Sequence, residues 1–245
     1  MSKSNITRFA LDPVDNGEEP VPAILEVPES TRPVAGVLLL HGFSSRKERM
    51  SESIGSRLAR RGIASLAVDL PLHGARDGSL EGFSLRNPLA VVQQWRLAVR
   101  EAMAGLEYLA RHPAVDSTRL AIGGYSLGAY LATVVAENNR LVRAVALVAG
   151  GDLPAQTPLA ALVRSIADPR RAVRNLSGRP LLMVNGRSDQ TVRATQATSL
   201  FEAAGEPKEL RWYNGGHWPP QSAIDGVADW LAERVGTPGS HSRLA

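Results

Sequence analysis

Short apolar runs alternate with longer amphipathic stretches along most of the chain, after a start that is strand-like throughout. Thr7 to Leu11 and Val21 to Val27 flank the turn-rich Asp12-Pro13-Val14-Asp15-Asn16-Gly17, a pattern that predicts two strands at an antiparallel edge. Val34 to Leu40 is continuously apolar, as suits a strand buried on both faces. A helix over Lys47 to Arg61, a strand over Ile63 to Val68 and a long helix over Pro88 to Arg111 follow. Arg119 to Gly123 reads as the next strand and Leu127 to Glu137 as the helix after it. Three further strands are expected near Arg143 to Val148, Leu181 to Asn185 and Glu209 to Tyr213, with helices around Thr195 to Ala204 and Ile224 to Val235. Strands separated by helices imply right-handed crossovers and a mostly parallel sheet, whose ligands bind beyond the strand C-termini.

Composition narrows the class. The chain has 245 residues, 44% hydrophobic and 21% charged, enough for one large α/β domain with a buried core. Residues 1–236 are read as that domain, with a short cap insertion around 150–180 and a polar, disordered tail at 237–245. No apolar run reaches membrane-spanning or signal-peptide length, so the expectation is a cytoplasmic protein with no membrane partner. The absence of cysteine excludes disulfides, thiolate metal sites and a cysteine nucleophile.

The formal net charge of +4 is concentrated in two stretches. The first holds Arg46, Lys47, Arg49, Arg57, Arg60 and Arg61, and the second runs from Gly150 to Pro180. Neither interleaves aromatics for base stacking, so no nucleic-acid partner is expected. The first cluster reads as a solvated helix face. The second suggests electrostatic enrichment of an anionic acyl substrate.

Candidate chemistry centres on Gly124-Tyr125-Ser126-Leu127-Gly128, which follows the apolar Leu120-Ala121-Ile122-Gly123 and precedes a helix-compatible run. A serine between two such glycines, on a sharp strand-to-helix turn, is the pattern of a nucleophile elbow. The turn also sets Ser126 at a helix N-terminus, where unpaired N–H groups favour a developing negative charge.

With the element order, this motif resembles the α/β-hydrolase superfamily over nearly the whole chain. The implied fold is a mostly parallel eight-stranded sheet with an antiparallel N-terminal edge, helices on both faces and a minimal cap. In that superfamily the acid follows a late strand, and Leu181 to Val192 carries Gly186-Arg187-Ser188-Asp189 in that place. The resemblance therefore implies Asp189 as the acid. It implies His217, in the loop Asn214-Gly215-Gly216-His217 after the last strand, as the base. A helix-capping role for Asp189 and an incidental loop role for His217 are the bland alternatives. His41-Gly42-Phe43 lies where the superfamily builds half of its oxyanion hole, which implies the backbone N–H groups of Phe43 and Leu127. His41 is expected to order that loop by hydrogen bonding rather than to carry protons.

Asp69-Leu70-Pro71-Leu72-His73-Gly74-Ala75-Arg76 is similar to loops of small carboxylesterases in the dienelactone-hydrolase-like branch. Dienelactone hydrolases usually carry cysteine as nucleophile, so Ser126 favours ordinary ester hydrolysis. Leu159, Leu162, Val163 and Ile166 follow helical spacing and predict one short cap helix, packed in the core or over the substrate mouth. His41, His73, Leu159 and Leu162 are the pocket candidates. The implied activity is hydrolysis of small carboxylic esters of short to medium acyl chain through an acyl-enzyme, with no cofactor and no metal. Thioesters, lactones or dienelactones are alternative substrates, and a non-catalytic binding protein on the same fold is the alternative of a different class.

Overall fold

In a computed structural model that describes residues 3–14, 19–76, 87–153, 161, 164–176 and 178–236, eight strands form one sheet. The strands are β1 (Ser4–Leu11), β2 (Val21–Pro28), β3 (Val34–Leu40), β4 (Ala64–Val68), β5 (Val115–Tyr125), β6 (Val142–Val148), β7 (Leu181–Gly186) and β8 (Lys208–Tyr213). They lie in the order β1-β2-β4-β3-β5-β6-β7-β8. β2 runs antiparallel to both β1 and β4, and every other neighbouring pair is parallel. The helices are α1 (Lys47–Met50), a π-helical turn at Ser51–Gly55, α2 (Ser56–Arg60), α3 (Pro88–Arg111), α4 (Leu127–Asn138), α5 (Pro169–Arg174), α6 (Ala194–Ala203) and α7 (Gln221–Val235). This is the eight-stranded, mostly parallel arrangement with an antiparallel N-terminal edge that the resemblance to the α/β-hydrolase superfamily implied.

β3 explains why its sequence is apolar without interruption: all seven of its residues are buried. Successive side chains point to opposite faces of a strand. Leu38 and Leu40 accordingly join the cluster containing Leu106 of α3 and Val135 of α4, while Val37 and Leu39 join Leu58 of α2 and Leu231 of α7. Helices thus seal both faces and leave the strand C-termini as the place where loops gather.

Several elements differ from the sequence expectation. β5 starts at Val115 rather than Arg119, because Val34 pairs with Val115 before the register shifts to Gly36 opposite Leu120. The expected helix over Lys47 to Arg61 contains the π-helical turn. There the Ser53 and Ser56 hydroxyls donate to the Arg49 and Glu52 carbonyls at 2.5 and 2.7 Å, back-bonding that competes with the helical ladder. α5 was not anticipated; Asp168 accepts from the Arg170 N–H at 3.0 Å and Pro169 occupies the first turn, a cap-and-proline start.

The first basic cluster is not simply a solvated face. Lys47 is buried, with Nζ 2.7 Å from Asp69 and 3.0 Å from Glu48. Arg57 and Arg61 pair with Asp225 and Asp229 of α7 at 2.5 and 2.6 Å, joining α2 to α7. Leu159, Leu162, Val163 and the 237–245 tail lie outside the described residues. Ile166 packs beside Val134 and Ala172. Among the described residues no helix is long and apolar enough to cross a membrane.

Candidate active site

β5 delivers Ser126 into α4 through a turn that only a narrow set of residues permits. Ser126 has φ 52° and ψ −113°, a backbone conformation strained for a side-chain-bearing residue. The turn is held by the Ser126 N–H, which donates to the Val148 carbonyl at 2.9 Å, and by the Ser126 carbonyl, which accepts from Ala129 at 2.9 Å. A Cβ at position 124 would overlap the Gly128 carbonyl, and one at position 128 would overlap the Leu40 carbonyl. The two glycines therefore follow from steric contact between strand, helix and β3.

The three residues named from the sequence come together. His217 Nε2 is 2.9 Å from Ser126 Oγ, and His217 Nδ1 is 2.8 Å from Asp189 Oδ2. The carboxylate accepts, so Nδ1 carries the proton and Nε2 faces the hydroxyl as an acceptor. Asp189 divides its oxygens between two tasks: Oδ1 accepts from the Thr191 and Val192 N–H groups at 2.8 and 3.0 Å while Oδ2 faces the histidine. The capping alternative thus describes one oxygen of a group whose other oxygen pairs with His217.

Two tyrosines hold the histidine loop. Tyr125 Oη donates to the His217 carbonyl at 3.2 Å, and Tyr213 Oη donates to the Gly216 carbonyl at 2.9 Å. Burial pushes the Tyr213 phenol up to about 12 and raises that of Tyr125 as well, so both remain neutral donors. Neither tyrosine was singled out from the sequence, although Tyr125 lies within the elbow motif and Tyr213 directly precedes the Asn214–His217 loop.

The loop after β3 passes over the serine: a Cβ on Gly42 would lie 2.8 Å from Tyr125 Cδ1 and 3.2 Å from Ser126 Cβ. His41 anchors it. Its Nδ1 donates to the Gly42 carbonyl at 2.8 Å, while Nε2 accepts the Leu70 N–H at 3.0 Å. Because a trans peptide directs C=O and N–H in opposite senses, holding the Gly42 carbonyl also fixes the direction of the Phe43 N–H. Desolvation lowers the His41 pKa to about 4, which keeps the ring neutral. With both nitrogens engaged and no exposed surface, His41 belongs to the scaffold and not to the pocket wall.

Asp69, fully buried behind this loop, accepts from the Lys47 N–H, the Lys47 Nζ and the Ala75 N–H at 2.8, 2.7 and 2.9 Å. Burial disfavours the Lys47 charge, but Asp69 and Glu48 outweigh it and the lysine pKa is raised. His73 is buried, donates from Nδ1 to the Pro71 carbonyl at 2.7 Å and meets the Phe43 ring edge-on at 5.5 Å.

The cap arginines are largely committed to structure. Arg164 pairs with Asp152 at 2.8 Å and Asp168 at 3.4 Å, Arg171 approaches Glu137 at 3.6 Å, and Arg179 donates to the Ala136 and Asn139 carbonyls. The carboxylate partners of Arg164 and Arg171 weaken the field expected to enrich an anionic substrate, whereas Arg179, held by carbonyls, keeps its charge. Asp152 and Asp168 serve these pairs, and it is Asp189 that faces His217.

Residues 21–218 match the dienelactone hydrolase family, a span that includes the serine, the aspartate and the histidine. The chain belongs to the dienelactone hydrolase family. Among solved structures it is similar to a cold-adapted esterase from an Arctic intertidal metagenomic library, at 20% identity and a TM-score of 0.75 over 95% of this chain and 94% of that one. It is also similar to TT1662 from Thermus thermophilus, at 23% identity and a TM-score of 0.78 over 96% and 100%. A curated relative, polyketide transferase ATR5 from Stachybotrys chlorohalonatus, is 30% identical over 113 residues. That match spans 46% of this chain and only 34% of the relative. The residue at the elbow of this family member is Ser126, the nucleophile candidate named from the sequence.

Proposed function

We propose that the chain is a serine hydrolase that cleaves carboxylic esters of short to medium acyl chain through an acyl-enzyme. The observation that carries this reading is the unbroken relay from Ser126 Oγ through His217 to Asp189, with hydrogen-bond distances of 2.9 and 2.8 Å. In the first step Ser126 Oγ attacks the ester carbonyl carbon while His217 Nε2 takes the hydroxyl proton, and Asp189 stabilises the resulting imidazolium. The carbonyl oxygen becomes an oxyanion that accepts from the Phe43 and Leu127 N–H groups. Collapse of the tetrahedral intermediate breaks the bond to the alcohol, which leaves with the proton from His217. Water then repeats the sequence on the acyl-serine, returns the proton to Ser126 and releases the acid. None of these steps draws on a cofactor.

Short acyl groups fit what surrounds the site. The described part of the cap insertion is fastened to the body by the packing of Ile166 and Ala172 against Val134 of α4 and by Asp152, which pairs with Arg164 and accepts from Ser199 of α6 at 3.1 Å. This supports a small cap held close to the sheet. Purified protein should be assayed with p-nitrophenyl acetate, an acyl-CoA and a small lactone beside a Ser126→Ala control. The proposal expects ester turnover that disappears in the control. Turnover that persists in Ser126→Ala, or confined to the acyl-CoA or the lactone, would refute it.

A further inference from the structure

Only a few large apolar side chains stand exposed on the described surface, and the two aromatic ones both border the serine. Phe43 is 51% exposed and Trp218 is 73% exposed. Phe43 follows Gly42, whose loop passes over Ser126, and Trp218 follows His217. An exposed indole is unfavourable to leave in water without a use, and single exposed apolar residues gain meaning when they cluster at a site. Trp218 is also held in place: one face stacks on Tyr125 with ring centroids 5.4 Å apart and planes inclined by 25°, and its ring stands edge-on to His217 at 6.3 Å. One face of a fixed indole is spent on Tyr125, and the ring remains largely open to solvent.

The position specifies which part of a substrate would meet that ring. His217 must hand its proton to the departing alcohol, so the leaving group lies on the histidine side of the reacting carbon. We propose that Trp218 is a leaving-group subsite, and that this enzyme prefers esters whose alcohol part carries a planar aromatic ring, packed against the indole. An aromatic ring gains from the offset or edge-on geometry open to it at an indole, beyond what its area alone supplies, whereas a saturated ring of the same size gains burial only. The inference rests on the serine-esterase reading above and names the substrate class of that same site.

The test compares benzyl acetate with cyclohexylmethyl acetate, which share the acyl group and differ chiefly in ring planarity, with p-nitrophenyl acetate as the general esterase control. The expected result is a kcat/KM for benzyl acetate about fivefold above that for cyclohexylmethyl acetate. Trp218→Leu, which keeps an apolar side chain but removes the π face, should bring the ratio close to one, and Trp218→Phe should retain most of it. Equal kcat/KM for the two esters in the unaltered protein, or a preference that survives Trp218→Leu, would overturn the proposal while p-nitrophenyl acetate turnover leaves the esterase reading standing. Inertness toward all three esters would instead overturn the esterase reading and this inference with it.

Discussion

His41 Nδ1 donates to the Gly42 carbonyl at 2.8 Å, and that carbonyl belongs to the same peptide unit as the Phe43 N–H. A buried imidazole, together with the Ser45 N–H at 3.2 Å, therefore sets the direction of the amide that the proposed mechanism assigns to the oxyanion. Replacing His41 with alanine should lower kcat by roughly tenfold to a hundredfold, less than or equal to the loss of one oxyanion donor, with little change in KM. Steady-state kinetics on p-nitrophenyl acetate check this. A His41→Ala variant that kept full kcat would show that the loop orders itself without the histidine.

The same residue makes a stability prediction. The His41 pKa is about 4 when folded against 6.5 ordinarily, so between those values the unfolded chain binds the proton and the folded chain does not. Stability is therefore complete above pH 6.5 and falls as the pH drops toward 4, by roughly 3 kcal/mol at the low end of that window. Urea unfolding from pH 7 to 4 should show this slope. His41→Gln, which has an amide to donate and a carbonyl to accept but does not titrate, should flatten it; an unchanged slope would assign the acid sensitivity to other groups.

Asp189 and His217 act as one unit on Ser126, so their losses should not add. Asp189→Asn and His217→Ala should each reduce kcat by about four orders of magnitude or more, and the double variant should be scarcely worse than the weaker single one. Far-UV circular dichroism would establish that the variants are folded. Full turnover by Asp189→Asn would remove Asp189 from the relay.

Acyl length offers a separate check. A buried methylene is worth about 0.8 kcal/mol only when an apolar wall receives it, and the sequence allots the cap no more than the stretch between β6 and β7. Across p-nitrophenyl esters from two to sixteen carbons, kcat/KM should peak between acetyl and hexanoyl. A continuous rise through dodecanoyl would mean a deep acyl cleft.

How much of this was legible from the chain depended on how local each determinant is. The elbow was readable because its pattern lies within the five residues Gly124 to Gly128, although the backbone that excludes a Cβ at position 128 is that of Leu40 on β3. β3 was readable because two-sided burial leaves no polar position in Val34–Leu40. Lys47 was misread because its burial depends on Asp69, a residue 22 positions away whose approach requires the whole β3-to-β4 crossover. The cap arginines were misread for the same reason, since Arg171 meets Glu137 and Arg179 meets Ala136 only after β6 and β7 pair. Trp218 carried no signal at all in a polarity pattern, because an exposed aromatic beside a histidine becomes informative only when its accessibility is seen.

The most direct test of the account is the identity of the residue that reacts. Purified protein incubated with a fluorophosphonate should gain one phosphonyl group, located on Ser126 by peptide mass spectrometry, with ester turnover lost in proportion to labelling and no adduct on Ser126→Ala. Proportional loss of activity with the adduct on a different residue, or full labelling of Ser126 with turnover intact, would contradict it.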